Sequence, residues 1–252
     1  MTRTNTKHTH IYVDGYDLSG YIRDAGTLSW LYDAVPDACI TDEVKNVLLG
    51  QPSISLGPLN AVLDGDAAGL FAALKDPGVF RYATVALGQL AAPVAGDPFF
   101  SWYLAQKDFS HVEGGGFVSV NLTFDTAGTG FTAYGKPWGL NIHPKGAETA
   151  VNTAIGIDSG IVSSALGGIF VYHLFASNGT ITLKAQDAAT NADLSFADIT
   201  GATSGVIDAS ATPAGAMIAL GVTQTIRQYW RWQLVLGTAT TATFFAGLMR
   251  TT

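Results

Sequence analysis

The sequence contains very little cysteine and very little charge. Cys39 is the only cysteine, which excludes an intrachain disulfide and a zinc site built from several cysteines. Charged residues make up 13% of the 252 residues, about half of the usual quarter. Such a surface is typical of a subunit that other chains partly cover, and the alternative is a charge-poor β-sandwich that stays alone. We therefore expect packing or assembly to supply the stability.

Long apolar runs are absent as well. No apolar run follows the first eight residues, which predicts that no secretory signal peptide is present. The longest apolar stretch, residues 165–176, is too short to cross a bilayer and contains His173. This stretch predicts a buried strand, and we expect no membrane partner.

Basic side chains are scarce relative to acidic ones. The formal net charge is −7, and most of the acidic excess lies in residues 1–145. A protein that grips nucleic acid by its phosphates needs Lys and Arg clustered on one face. The excess of acidic over basic residues therefore argues against specific DNA binding. It is compatible with the wall of a channel through which DNA passes without being bound.

The pattern that is present is an alternation with a period of two. Residues 117–124 place Val118, Val120, Leu122 and Phe124 on one face of a strand and polar side chains on the other. The same alternation recurs in residues 180–186 and 225–236. We predict a mainly β fold, with an N-terminal β-barrel or sandwich that carries one packed helix and a C-terminal β-sandwich.

The order of strand and turn signals predicts two units. The first, residues 1–149, contains a long loop at 33–51 and a helix at 66–75, and the second, residues 150–252, is an outer β-sandwich of immunoglobulin-like or jelly-roll-like type. Thr41 is expected to cap a short helix through Lys45 to Leu48 inside the loop. Asn178-Gly179 predicts a hairpin turn in the second unit. The predicted strands are 8–13, 27–32, 53–63, 80–90, 99–112, 117–124 and 138–143, then 168–176, 180–186, 205–209, 216–222, 225–236 and 242–250.

The sequence contains partial matches to several catalytic motifs, and none of these matches is complete. Residues 130–136 have the spacing of a phosphate-binding loop, but Pro137 stands where Ser or Thr must reach magnesium. Ser204 lies one position away from that of a nucleophile elbow and is better explained as a turn residue. His8 and His10 offer only two ligands for a metal, and no pair of carboxylates is singled out for glycoside hydrolysis. We predict no catalytic residue, no cofactor and no metal site, and therefore no enzyme.

One strand in the second unit could present a partner surface. Arg227, Tyr229 and Arg231 share one face, which predicts an Arg-aromatic patch for a glycan or a protein. The alternative is a solvated face backed by a core face that contains Ile226, Trp230, Trp232 and Leu234.

Three phrases carry a resemblance to a known family. They are Val13-Asp-Gly-Tyr-Asp-Leu-Ser-Gly20, the helix entry from Asp64 to Leu74, and His143-Pro-Lys-Gly-Ala-Glu148. Together with the order of elements over residues 8–145, they resemble the major tail tube proteins of long-tailed, non-contractile bacteriophages, and of actinobacterial phages in particular. Residues 150–252 resemble the extra β-sandwich that many of these proteins carry outside the tail.

The resemblance implies a homo-hexameric ring whose sheets merge into an inner barrel, with rings stacked into a tube that conducts DNA without binding it specifically. It implies that the loop at 33–51 reaches an adjacent ring, with Asp33, Asp37, Asp42, Glu43 and Lys45 close to the interface. Other phage tail proteins would be partners, and the protein would be located in the virion tail after assembly in the cytoplasm of the bacterial host. The alternative is a carbohydrate-binding or host-adhesion protein of the virion that contacts host-surface glycans through its C-terminal domain.

Overall fold

The computed structural model describes residues 8–36, 47–63, 69–89, 91–114, 117–126, 137–152 and 154–250. Side chains are described in these ranges except at 33–36, 47–52, 112–114 and 117. Strands dominate and only one short α-helix occurs in this part of the chain, which confirms the predicted mainly β fold with one packed helix.

The elements of residues 1–149 are mostly long antiparallel strands. In chain order they are β1 (Thr9–Val13), β2 (Tyr16–Asp17), β3 (Ile22–Asp24), β4 (Thr27–Pro36), β5 (Val47–Val62), α1 (Leu70–Leu74), β6 (Phe80–Leu87), β7 (Pro98–Gly114), β8 (Phe117–Thr126) and β9 (Trp138–Glu148).

The elements of the remaining residues are shorter and more numerous. They are β10 (Ile157–Asp158), β11 (Gly168–Ser177), β12 (Thr180–Ala188), a 3₁₀ turn (Asp193–Ser195), β13 (Ala197–Thr203), β14 (Ile207–Asp208), β15 (Ala214–Ala219), β16 (Tyr229–Leu236) and β17 (Ala242–Arg250).

Within the described residues, the larger sheet contains twelve strands and runs through both halves of the chain. Its main path is β15-β11-β17-β9-β7-β6-β1-β2, and β8, β5, β4 and β3 branch from β7. The last strand, β17, pairs with β9 from Ala242↔Glu148 to Leu248↔Leu140. The sheet therefore crosses the predicted boundary at residues 149 and 150, and the division into two independently folding units stays a prediction.

The smaller sheet has five strands, in the order β10-β16-β12-β13 with β14 beside β12. It packs against the β9, β11 and β17 part of the larger sheet, because one cluster of buried side chains contains residues of both. Phe170 and Phe244 come from the larger sheet, and Leu183, Trp230 and Leu234 come from the smaller one. The C-terminal half is thus one sandwich whose inner faces follow the alternation of the sequence.

Two further buried clusters complete a stack of layers. The first lies among β1, β5, β6, β7, β8 and α1 and includes Leu56, Trp102, Phe124 and Leu74. The second lies on the opposite face of β1, β6 and β7, where Tyr12 and Phe99 contact Phe245 of β17 at ring-centroid distances of 5.2 and 5.5 Å. Both faces of β1 and of the adjoining parts of β6 and β7 are therefore buried, and the two halves of the chain share this middle cluster.

Among the differences from the sequence predictions, four concern two helices, one strand and one turn. The helix begins at Leu70 rather than Asp66, and residues 64–68, which include the expected cap Asp66, lie outside the described residues. The helix expected to end at Leu48 is not formed at its last two residues, because Val47 and Leu48 belong to β5. The strand Ala197–Thr203 was not predicted, because its alternation is interrupted by Gly201.

The fourth difference concerns Asn178 and Gly179. They do not form a hairpin, since β11 lies in the larger sheet and β12 in the smaller one. The Asn178 side chain instead accepts hydrogen bonds from the backbone N–H groups of Thr240 and Thr241, at 2.9 and 3.1 Å. These bonds fix the connection from the larger sheet to the smaller one. The Asn-Gly dipeptide by itself does not show whether a connection is of this kind or a hairpin.

Candidate functional site

The predicted loop at 33–51 is partly a ribbon of two strands. Residues 33–36 belong to β4 and residues 47–51 to β5, paired from Ala34↔Leu49 to Pro36↔Val47. The loop is therefore shorter than predicted, and residues 37–46, between the two strands in sequence, lie outside the described residues. Asp37, Asp42, Glu43 and Lys45 fall there. Asp33 lies in β4 where only the backbone is described, so an interface role for these residues stays a prediction.

The outer edge of β4 is open. In the described part of the chain, β4 pairs only with β5. Leu31 is 62% exposed and Tyr32 is 45% exposed, although consecutive residues point to opposite faces of a strand. Apolar side chains are thus exposed on both faces at this point, which is unusual for a monomer.

The second half of β7 has an open edge as well. β6 pairs with β7 only between Phe80↔Ala105 and Ala86↔Phe99, and the contact ends where the Gln106 N–H donates to the Val79 carbonyl. Beyond Gln106, no strand of the described residues pairs with that side of β7, whereas β8 pairs with the other side as far as Gly114.

These two edges border the same four strands. The order β4-β5-β8-β7 follows from the pairs β4 with β5, β5 with β8 and β8 with β7. Among the described strands, this four-stranded segment has no partner at its outer edge on either side, and one of its faces packs in the buried cluster that contains Leu56 and Trp102. Such a segment has the geometry to accept one neighbouring strand at each edge.

A row of aromatic rings extends the apolar surface beside β7. Phe80 and Tyr103 lie 5.5 Å apart between ring centroids, and Tyr82 and Tyr103 lie 4.9 Å apart. Phe80 is more than half exposed. The row lies on the same face of β6 and β7 as the middle cluster. That cluster covers this face further along the two strands.

A chain of buried polar groups joins the layers. His173 of β11 has no exposed surface, and its Nδ1 accepts a hydrogen bond from the Gly15 N–H at 3.1 Å. Its Nε2 lies 2.7 Å from the Thr84 hydroxyl, which lies 2.8 Å from the Ser101 hydroxyl. Ser101 donates to the Ala83 carbonyl at 3.2 Å. Because Nδ1 is an acceptor, the proton of the neutral ring is on Nε2, and every group in the chain is satisfied.

This arrangement resembles the components of a hydrolase but cannot act as one. Complete burial lowers the pKa of His173 to about 3, so the ring is neutral at physiological pH. The Thr84 and Ser101 hydroxyls are also fully buried, and no substrate can reach them. The chain of bonds therefore positions the layers.

The predicted patch on β16 is not formed by all three of its residues. Arg231 is buried, where it donates to Asp193, to the Ala154 carbonyl at 3.0 Å and to Gln186 at 2.8 Å. Its guanidinium also lies 4.4 Å from the centre of the Phe196 ring. Arg231 therefore holds the outer sheet together and is not part of an exposed patch.

Arg227 and Tyr229 remain closer to the surface. Arg227 lies 3.5 Å from the buried Asp187 carboxylate, and its own backbone N–H donates to the same group at 2.7 Å. A partner role for Arg227 and Tyr229 stays a prediction. The opposite face of β16, with Trp230, Trp232 and Leu234, forms part of the sandwich core as expected, together with Ile226, which precedes the strand.

Of the surface cavities at borders between elements, two differ clearly in the character of their walls. The first, of about 450 Å³, lies between β1 and β3 and is lined by His10, Ser19 and Arg23 among others. The second, of about 250 Å³, is mostly apolar and lies between the two sheets, with Trp138, Ile161, Trp230 and Arg250 in its wall.

No group of three or more His, Cys, Asp or Glu side chains is arranged to hold a metal within the described ranges. The helix of the described structure is too short to span a bilayer.

Comparisons with known proteins give a distant likeness to a solved structure. No protein-family model matches the chain, and no curated protein matches it. Among solved structures, 96% of the chain aligns with 98% of the Dit protein of phage SPP1, which is described as a paradigm of the hub adsorption apparatus in phages that infect Gram-positive bacteria. The identity is 12% and the TM-score is 0.32. A likeness of this size carries no argument about function.

Proposed function

We propose that the protein is a structural subunit of a phage tail tube, in which hexameric rings stack into a conduit for DNA. The observation that carries this proposal is the four-stranded segment β4-β5-β8-β7 with an open edge on each side. In a ring, the edge of β4 in one copy meets the edge of β7 in the next, so that every copy uses both edges.

Surface composition supports the same proposal. Leu31, Tyr32 and Phe80 are large apolar side chains that lie along or beside the open edges and are exposed in a single copy. Charged residues are scarce, so little on the surface opposes association between copies. Burial of these side chains would contribute about 1.5–3 kcal/mol for each one that is fully covered.

The net charge of −7 fits passage of DNA better than binding of DNA. Acidic side chains on the wall of a conduit repel phosphate and leave the nucleic acid free to move. A purified subunit of this kind is expected to show no retention of double-stranded DNA at physiological salt.

Electron microscopy of the purified protein tests the proposal. We expect rings with sixfold symmetry and tubes of stacked rings, formed as the concentration rises. Leu31→Lys places a charge on the open edge of β4 and is expected to reduce assembly at least tenfold at a fixed concentration. Val206→Lys is the control, because Val206 is also exposed but lies in the connection between β13 and β14. Protein that stays monomeric at all concentrations, or equal loss of assembly in both variants, would contradict the proposal.

A further inference from the structure

The surface of the outer sheet carries one very prominent apolar side chain. Leu194 is 98% exposed, more than any other large apolar residue of the described chain. It stands on the 3₁₀ turn Asp193–Ser195, which connects β12 to β13.

This turn is held in place by bonds on both sides of Leu194. Asp193 accepts a hydrogen bond from the buried Arg231, and Thr190 donates to the Ser195 hydroxyl at 3.0 Å. Asn191 also donates to the Gly156 carbonyl at 3.0 Å. Leu194 therefore cannot turn inward without breaking these contacts, and its exposure is a fixed property of the fold.

The apolar cavity between the two sheets has matching properties. Trp138 and Ile161, each 40% exposed, form its rim, and the buried Trp230 forms part of its wall. Trp138 is held by an edge-to-face contact with Phe100 at 5.4 Å. The volume of about 250 Å³ accommodates one aliphatic side chain and its immediate backbone.

A positive charge in the cavity wall favours an apolar side chain that has an acidic neighbour. The Arg250 guanidinium donates to the Ser164 hydroxyl and the Ile161 carbonyl, each at 3.1 Å, and to the Val162 carbonyl. No carboxylate of the described residues forms an ion pair with Arg250, and the nearby Asp187 is bonded to Arg227. The hydrogen bonds of Arg250 thus go to neutral oxygens, and the charge of the Asp187 carboxylate is shared between Arg227 and Arg250. Asp193, which is beside Leu194, keeps about half of its side chain exposed.

We propose that Leu194 of one copy inserts into the cavity formed by Trp138, Ile161 and Trp230 of a second copy, with the exposed side of Asp193 facing Arg250. The contact is between different surfaces of the two copies, as required in a ring or a stack. This inference rests on the proposed assembly, since it names a contact that the assembled copies make outside the β4 and β7 edges.

Disulfide trapping tests the contact directly. In a Cys39→Ser background, protein with Leu194→Cys is mixed with protein carrying Ile161→Cys and oxidised under assembly conditions. A disulfide forms readily only where the two Cα atoms approach within about 7 Å. We expect roughly tenfold more cross-linked heterodimer than for the control pair of Leu194→Cys with Val222→Cys, because proximity raises the effective concentration. Val222 is also exposed but lies outside the cavity.

A yield no higher than that of the control pair would overturn the proposed contact. In that case, rings and tubes seen by microscopy with the Leu194→Asp variant would leave the proposed tail tube function standing. Absence of any assembly in the unmodified protein would instead contradict that function, whereas a specific cross-link between two copies would still support the contact.

Discussion

The Nε2 atom of His173 lies 2.7 Å from the hydroxyl oxygen of Thr84, and this bond joins residues that are 89 positions apart in the chain. It connects β11 of the C-terminal half with β6 of the N-terminal half, in a region where both partners are fully buried. The relative position of the two halves thus depends on a polar contact as well as on apolar packing, because a buried hydrogen-bonding group without a partner is costly.

We expect stability to fall in acid because of His173. Its pKa is about 3 in the folded protein and 6.5 as the ordinary value, so the ring is neutral in both states above pH 6.5. Between these values the unfolded chain binds a proton that the folded protein excludes. The free energy of unfolding is therefore expected to fall by about 1.4 kcal/mol per pH unit from this residue alone.

Urea unfolding at pH 7, 6, 5 and 4 measures this effect. His173→Gln can accept from Gly15 and donate to Thr84 without titrating, so its free energy of unfolding should depend less steeply on pH by about one proton. Equal slopes for the two proteins would show that His173 does not titrate on unfolding.

Removing one hydroxyl from the buried chain should weaken the fold without changing its shape. Thr84→Val keeps the branched side chain but leaves the His173 N–H and the Ser101 hydroxyl with fewer partners. We expect a loss of about 1–3 kcal/mol in the free energy of unfolding. Thr200→Val on the exposed face of β13 is the matched control, and it should change stability by less than about 0.5 kcal/mol.

Gly215 of β15 is expected to tolerate no side chain. A Cβ at this position would lie 2.8 Å from His173 Nδ1 and 3.0 Å from the Asp14 Cα. Gly215→Ala should therefore destabilise the protein by about 1–3 kcal/mol, through displaced backbone and a strained His173. At Gly221 a Cβ meets no atom within 4 Å, so Gly221→Ala should leave the stability nearly unchanged. Thermal unfolding of the two variants and of the wild-type protein measures the difference. Similar melting temperatures for the two variants would contradict the close packing at β15.

Arg231 is expected to matter for stability and not for glycan recognition. Arg231→Ala removes the bonds to Asp193, Gln186 and the Ala154 carbonyl, and we expect a loss of about 1–3 kcal/mol. The control is Lys107→Ala, which breaks an exposed ion pair with Asp125 and should cost at most about 1 kcal/mol.

A glycan array with the wild-type protein and with Arg227→Ala completes this experiment. Saccharide binding that depends on Arg227 would favour the adhesion alternative over a purely structural role. Absence of binding by the free protein is the result we expect for a tail tube subunit.

The alternation of apolar and polar residues was sufficient to predict most long strands. Val120, Leu122 and Phe124 of β8 lie in the buried cluster as expected, and Ala165–Ala176 contains a buried strand with His173 inside it. These predictions succeed because one face of each strand is buried, which makes the period of two visible in the sequence.

The pairing of strands could not be predicted in the same way. The pattern of β11 gives no indication that its neighbours are β15 and β17 rather than β12. That choice depends on contacts between residues that are 40 or more positions apart in the chain. The burial of Arg231 was missed for a similar reason, since its partner Asp193 lies on a turn that no local signal connects to β16.

The place of β17 between β9 and β11 has a consequence for the order of folding. Because β17 ends at Arg250, translation must reach that residue before strands 138–148 and 168–177 acquire their common neighbour. Nascent chains released before residue 242 should therefore remain sensitive to protease in both halves. A polypeptide interrupted before residue 242 would therefore leave the facing edges of strands 138–148 and 168–177 without the neighbour that they share.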